Sequence, residues 1–272
     1  MSEEKIILKT KTPNTIISIY QDLMNLGIHD GDILLVHSSL SSIGWVCGGA
    51  QAVITALLKA AGTNGTLVMP AHSGDWSDPA KWQNPPVPKE WIPIIYENMP
   101  PYEPELTPTR GMGRIAELFR TFPNTIRSNH PQVSFCANGK LAKHIVEGHP
   151  ITPGLGMDSP LGKLYSLNAK VLLLGVGYGS CTSFHLAETL IHNMPKIKMG
   201  TAISGEESWK WFEDYDYNAD DFKALGKDFE KLGKVKDGNI GSADCKMFKI
   251  QDGVNFAQKW LIKNRLGENY MK

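Results

Sequence analysis

His185 and Glu188 stand three residues apart in the stretch Thr182-Ser-Phe-His-Leu-Ala-Glu188, where a glycine-rich turn gives way to a helical pattern. Residues i and i+3 share one helical face, so the Glu188 carboxylate can fix the orientation and tautomer of the His185 ring. A histidine held in this way is a competent general base. Immediately upstream, Val171-Leu-Leu-Leu-Gly-Val176 is a short apolar run without helical spacing, which predicts a buried strand, and Gly177-Tyr-Gly-Ser180 then turns the chain. Strand, turn and helix in that order carry the pair to a strand end, the edge at which open α/β sheets place their clefts.

Other chemistries compete for residues 175–192. Gly175-Val-Gly-Tyr-Gly-Ser180 approaches a dinucleotide fingerprint, but serine stands where glycine or alanine is needed. Ser180 lacks the Gly-x-Ser-x-Gly flanks of a hydrolase elbow. Cys181 offers a thiol for covalent catalysis, although four residues across a helix start is not a recognised Cys–His pairing. His185, Glu188 and His192 fall at i, i+3 and i+7 and could converge on a metal ion, without an evident fourth ligand. A His–Glu pair that merely caps a core helix is the structural alternative.

The elements that must position these residues are drawn from 272 residues, enough for a single catalytic unit, residues 1–272, with an acidic and helical subregion at about 195–272. Lysine plus arginine and aspartate plus glutamate number 28 each, so no overall field draws in nucleic acid or an anionic membrane. The amino-terminal residues carry acids where a signal peptide is basic, and no segment approaches a membrane span, so a cytoplasmic protein is expected. Cys47, Cys136, Cys181 and Cys245 are far apart and fit neither a zinc knuckle nor a disulfide framework. Nothing in the sequence sets an oligomeric state.

In chain order, Thr12-Pro13 and apolar residues at Ile16, Ile19, Tyr20, Leu23 and Met24 predict a capped helix ending near Gly27. Asp32-Ile-Leu-Leu-Val-His37 predicts a strand and residues 49–61 a helix. The small residues between them, beginning Ser38-Ser-Leu-Ser41, can turn N–H groups and hydroxyls toward an anion, or simply face water. The loop lacks the Gly-Lys-Ser/Thr ending of a P-loop. Thr66-Leu-Val-Met-Pro70 predicts the next strand and brings Asp75 to the same edge. Ten of the 17 prolines lie from Pro70 to Pro108, too many for a regular element and suited to a semi-rigid loop. Pro108-Thr-Arg-Gly-Met-Gly113 then opens a helix through Phe119, with Arg110 at its positive end.

Ser128-Asn-His-Pro131 precedes a strand at residues 133–137, which makes His130 as much a turn residue as a site residue. A helix is predicted at 139–147, with His144 and His149 facing solvent. Past Pro195, strands are expected near 197–203 and 246–250, and helices near 219–232 and 253–264. Glu206, Glu207, Glu213, Asp214, Asp216, Asp220 and Asp221 stand against the single base Lys210, with Trp209, Trp211, Tyr215 and Tyr217 interleaved. Such a run gathers a polycation or forms a solvated acidic face.

Six motifs in order resemble the aminoglycoside 3-N-acetyltransferase family over nearly the whole chain. They are His37-Ser-Ser-Leu-Ser-Ser-Ile-Gly44 after a strand, the turn from Pro70 to Trp76, Thr107-Pro-Thr-Arg-Gly-Met-Gly113, Ser128-Asn-His-Pro131, Ser159-Pro-Leu-Gly162 and residues 182–188. The resemblance implies an α/β fold, a three-layer α/β/α sandwich around a mixed sheet. It also implies an acyltransferase that moves acetyl from acetyl-CoA, without a metal, to a small-molecule amine, the 3-amino group of a 2-deoxystreptamine antibiotic, and so confers resistance. His37, Ser38, Ser39, Leu40, Ser41, Arg110, Gly111 and Met112 are then expected toward coenzyme A. Asp75, His130, Glu206, Glu213 and Asp214 are expected toward the acceptor, and His185 and Glu188 in catalysis. Arg110-Gly-Met-Gly-Arg-Ile115 starts the Arg/Gln-x-x-Gly-x-Gly/Ala pattern of the common acetyltransferase superfamily but ends in isoleucine, and a different fold is implied.

The chemistry of the residues agrees with this resemblance. A bound ammonium must lose a proton before its lone pair attacks a thioester, and an ordinary histidine, with a pKa of about 6.5, is mostly neutral at pH 7. Another small amine as acceptor, a His/Glu metal-dependent hydrolase and a non-catalytic coenzyme A binder stay open as alternatives.

Overall fold

A computed structural model describes residues 2–205 and 209–266. The strands are β1 (Ile33–Ser38), β2 (Thr66–Pro70), β3 (Ile126–Arg127), β4 (Phe135–Gly139), β5 (Lys170–Leu174), β6 (Lys196–Ala202), β7 (Trp209–Tyr215), β8 (Lys236–Ile240) and β9 (Ala243–Lys249). Seven of them form one sheet in the order β3-β4-β2-β1-β5-β9-β8, and β6 pairs with β7 in a separate ribbon. β1 runs parallel to both β2 and β5, with Leu34 opposite Leu67 and Leu35 opposite Val171, whereas β4, β9, β8 and β3 pair antiparallel. The mixed sheet is therefore parallel only at its centre.

The helices are α1 (Glu3–Lys9), α2 (Ile16–Leu26), α3 (Gly49–Ala61), α4 (Trp91–Asn98), α5 (Gly113–Arg120), α6 (Ala142–Val146), α7 (Pro160–Ser166), α8 (Ser183–Thr189), α9 (Phe222–Glu230) and α10 (Ile250–Leu261). Successive strand side chains point to opposite faces, and the strand residues divide accordingly. Leu34, Val36, Leu172 and Leu174 join a core with α2, α3 and α5, while Leu35, Val171 and Leu173 join a second core with α6 to α10. Two helical layers on one sheet give the α/β/α sandwich that the motifs implied.

Several boundaries differ from expectation for identifiable reasons. The α2 cap is Thr15, not Thr12: its hydroxyl accepts from Ser18 N, while the Asn14 amide bonds Ile43 O and Trp45 O and keeps the preceding chain extended. β5 stops at Leu174 because Gly175 has φ +67°, and a Cβ there would meet the Ser42 Cβ at 2.5 Å. The proline-rich loop contains α4, with Pro93 inside its first turn, where the missing N–H is tolerated. α5 begins only at Gly113, since Gly111 and Gly113 both take left-handed backbone. The middle of the acidic run is strand β7, in which Trp209 and Asp214 are buried and Lys210 and Glu213 exposed.

α8 rests on an aromatic bed that sets its roll. Phe184 is fully buried, edge-on to Phe222 at 5.4 Å and stacked with Phe248 at 6.2 Å. Burying a phenylalanine stabilises by roughly 2–3 kcal/mol, and aromatic pairing adds about another 1 kcal/mol. Phe184 turned into the core leaves the next residue, His185, at the helix edge that borders the sheet end.

Candidate active site

A cleft of about 900 Å³ opens at the carboxyl ends of the parallel strands, lined among others by His37, His72, Thr182 and His185. β1 connects through α3 to β2 on one side and pairs with β5 on the other, so the chain diverges at this point, where open α/β sheets bind ligands. The pair expected from the sequence is present. His185 Nδ1 meets Glu188 Oε2 at 2.6 Å, with the carboxylate only 1% exposed. Because Nδ1–H donates to the carboxylate, the lone pair sits on Nε2. Tyr217 lies edge-on to the imidazole at 5.4 Å and Phe222 tilts against it at 4.8 Å, fixing the plane of the ring.

The second oxygen of Glu188 was not anticipated. Oε1 accepts from Asn218 N at 3.2 Å and from the Arg265 guanidinium. Arg265 lies in the π-helical turn Ile262–Leu266 that follows α10. Its fork is held by Asp221, Nε to Oδ2 at 2.8 Å and Nη2 to Oδ1 at 2.6 Å. Burial opposes the charge on Arg265, but the bonds to Asp221 and Glu188 outweigh it and hold the guanidinium firmly protonated. No sequence signal marks Arg265, which is 77 residues from Glu188.

His37 lies near the end of β1 and His72 two residues past the end of the neighbouring β2, and each has an Nε2 that solvent does not reach and that no group of the described residues partners. Burial, and secondly the charge that His185 would carry, hold the His37 ring down to about 3. The same causes, in the same order, hold His72 down to about 3. Both rings are neutral at physiological pH. The turn 38–41 faces the turn 111–113 across the mouth, a Cβ on Gly113 falling 3.8 Å from Ser38 O. Gly48, Gly49, Met112 and Gly113 place the starts of α3 and α5 on the cleft wall, and exposed Arg114, which no motif marks, stands beside them. Backbone N–H groups at helix starts favour anions.

Other expected site residues are placed differently. Arg110 points away from the cleft: it pairs with Asp75 at 3.0 Å and donates to Asn84 O at 3.2 Å, tying two parts of the proline-rich loop. Asp75 thus faces a cation of its own chain across a half-exposed ion pair. His130 is buried and fully bonded, since Nδ1 accepts from Gln132 N and Val133 N and Nε2 donates to Ile151 O. Burial pushes its ring down to about 4, against the bond to Ile151. Asp214 is buried and accepts from Gly154 N at 2.9 Å and Tyr215 N at 2.8 Å, which fastens the loop at 152–154 to β7. Glu213 is exposed on β7 opposite Lys198, outside the cleft lining. Glu206 lies outside the described residues. His149, expected in solvent, is buried; Nε2 donates to Gly154 O at 2.6 Å and Nδ1 accepts from Ser128 Oγ at 2.8 Å.

The alternative chemistries lose their geometry. Burial pushes the Cys181 thiol up to about 12, so the thiolate is disfavoured. α8 ends at Thr189, so His192 does not continue the face of His185 and Glu188, and both oxygens of Glu188 are bonded within the protein. Among the described residues no group of three His, Cys, Asp or Glu side chains is arranged to hold a metal ion. No described helix is long and apolar enough to cross a membrane.

An α/β/α sheet with a histidine oriented by a carboxylate at its switch point is the architecture of an enzyme cleft. The chain belongs to the aminoglycoside 3-N-acetyltransferase family, whose pattern it matches over residues 35–262. It is 48% identical over 264 residues to the SPbeta prophage-derived aminoglycoside N(3')-acetyltransferase-like protein YokD of Bacillus subtilis strain 168, covering 96% of this chain and 97% of that one. The crystal structure of YokD superposes with a TM-score of 0.94 over 97% of this chain and 98% of that one. Aminoglycoside N(3)-acetyltransferase IX of Micromonospora chalcea is 31% identical over 96% of this chain and 98% of its own. A structure described as AAC-IIIb binary with CoASH is 30% identical, with a TM-score of 0.82 over 94% of this chain and 99% of that one. Members of the family are acyltransferases, and so is this chain.

Proposed function

We propose that this protein is a cytoplasmic enzyme that moves acetyl from acetyl-CoA directly to an amine, the 3-amino group of a 2-deoxystreptamine aminoglycoside. The observation that carries this reading is the 2.6 Å His185–Glu188 bond, which leaves Nε2 of a cleft-lining histidine free to take a proton. The relatives named aminoglycoside N(3)-acetyltransferase support the acceptor class, and the CoASH-bound relative supports the donor. The cleft suits such a donor: two facing turns leave backbone at its mouth, and two helix starts and Arg114 favour phosphate.

Acetyl-CoA supplies a thioester, an acyl group already activated toward amines. His185 Nε2 takes the proton of the attacking amine as the C–N bond forms, and Glu188 holds the ring and offsets the charge of the imidazolium. The C–S bond then breaks and the electron pair leaves with sulfur, which needs no strong acid. Turns 38–41 and 111–113 seat the donor, and the neutral rings of His37 and His72 add no charge beside His185.

One observation favours a second reading, another small amine of lower charge. Among the described residues Asp214 is buried on backbone N–H groups and Asp75 faces Arg110, which leaves less uncompensated negative charge for a polyammonium acceptor. Thiol release from acetyl-CoA with a panel of 2-deoxystreptamine antibiotics and simpler amines, run beside His185→Ala, separates the two. Release that requires both an antibiotic and His185 is expected, with the variant slower by about 10²–10⁴. A His185→Ala protein with full turnover would remove His185 from the mechanism. Cys181→Ala is expected to stay active, and its complete inactivity would instead favour a covalent thioester on the enzyme.

A further inference from the structure

Glu188 faces two partners that compete for its charge. Oε2 meets His185 Nδ1 at 2.6 Å, and Oε1 meets Arg265 Nη1 and Asn218 N. The guanidinium cannot swing away, because Asp221 takes Nε and Nη2 in a two-point grip and Asn218 O accepts from Nη2 at 2.7 Å. Only Nη1 is left to reach the carboxylate. The chain Asp221, Arg265, Glu188, His185 thus alternates in sign from the start of α9 to the cleft, through side chains from three separate segments.

A buried carboxylate with a histidine as its sole ionisable partner has two unfavourable options. It draws a proton onto itself, or it keeps the ring protonated and useless as a base. A fixed cation on the opposite oxygen removes both. We propose that Arg265 is a positioning residue that holds Glu188 as a carboxylate and takes up part of its charge, so that His185 is oriented by Glu188 yet left as the free base. The proposal rests on the reading of His185 as the base. The other groups facing the ring add little charge: Tyr217 and Phe222 present their rings, Asp221 lies behind Arg265, and His37 and His72 are neutral.

The sign of the effect follows. Without Arg265 the His185–Glu188 pair keeps its shared proton to higher pH, so the base form is scarcer near pH 7 and recovers in alkali. A merely structural role would lower the rate equally at every pH. The test is an NMR titration of the imidazole resonances in the full chain, with those of His185 assigned by their absence in His185→Gln. In Arg265→Met the titration midpoint of His185 is expected to rise by about one pH unit or more, and Arg265→Lys, which restores the charge, to return most of the way. An unmoved midpoint in Arg265→Met, or Arg265→Lys behaving like Arg265→Met, overturns the proposal. Should Arg265→Met fail to fold, the Asp221→Asn/Arg265→Gln double variant removes both charges together, and the same rise is required of it. With an amine acceptor, the acidic limb of kcat should move up with the NMR midpoint while the rate at pH 9 stays within about threefold of the parent. The titration needs no acceptor, so a failure of the acetyl-transfer reading shows as absent turnover and a failure of the Arg265 assignment as an unmoved midpoint.

Discussion

His185 does one kind of work and His130 and His149 another, and the difference lies in what each ring nitrogen touches. His185 has one nitrogen bound and one free at the cleft, the condition for a base, whereas both nitrogens of His130 and of His149 are used by the fold. His130 and His149 are buried neutral, with His130 held down to about 4. The unfolded chain binds a proton to each near pH 6.5, and the folded chain does not until the pH is far lower. Their contribution to stability is therefore complete above about pH 7 and lost as the pH falls toward 4. His130→Asn, in which an amide oxygen can replace Nδ1 as acceptor, should be less stable at pH 7 but less sensitive to acid. Its slope of unfolding free energy between pH 6 and 4.5 should be shallower by up to about 1.4 kcal/mol per pH unit, one proton's worth. Equal slopes in denaturant titrations of parent and variant would mean that the ring is not neutral in the folded state. Ser128-Asn-His-Pro131 announced an important histidine without saying which kind, since a buried turn and a site make the same demand on sequence.

At the scale of elements, α8 points His185 correctly because the packing beneath it is tight. Gly226 in α9 lies flat on the ring of Tyr178, where a Cβ would come within 2.0 Å of the Tyr178 Cγ. Tyr178 belongs to the turn that leads from β5 into α8. Gly226→Ala gains helix propensity of about 1 kcal/mol but forces the ring or the helix aside, at a cost of roughly 1–3 kcal/mol or more. Net destabilisation is expected, together with a drop in kcat, since the turn that carries Tyr178 runs directly into α8. A variant more stable than the parent in thermal unfolding would show that the ring yields freely. Sequence periodicity found most of these elements, because buried central strands and amphipathic helices write their burial in residue type. It missed β7, where acids and a lysine are mixed with aromatics and one of the two buried positions is Asp214, a polar residue satisfied by backbone N–H groups. It also could not see that Gly111 and Gly113 delay α5, because left-handed backbone is a property of the fold around a glycine.

Over the whole molecule, the residues legible in the sequence are those whose partners lie within a few positions, as Glu188 lies near His185. Arg265 and the redirected Arg110 were not legible, since each meets a carboxylate brought close only by folding. The cleft itself is such a product: its walls come from the ends of β1 and β2, the starts of α3 and α5, and α8, elements divided between the two cores on either side of the sheet. A ligand that bridges these walls must stabilise the folded chain as a unit. At one hundred times its dissociation constant, such a ligand adds about 2.7 kcal/mol. For a chain of this size each kcal/mol raises the unfolding midpoint by about 2 °C, so acetyl-CoA at saturation should raise it by about 5 °C. His185→Ala should show nearly the same rise, because the turns that seat the donor are intact while the base is gone. Arg114→Ala should lose much of the rise, since it removes a cation beside the two helix starts. If His185→Ala abolishes the rise and Arg114→Ala keeps it, the donor is held by the imidazole rather than by the turns, and the roles given to the two sides of the cleft must be exchanged.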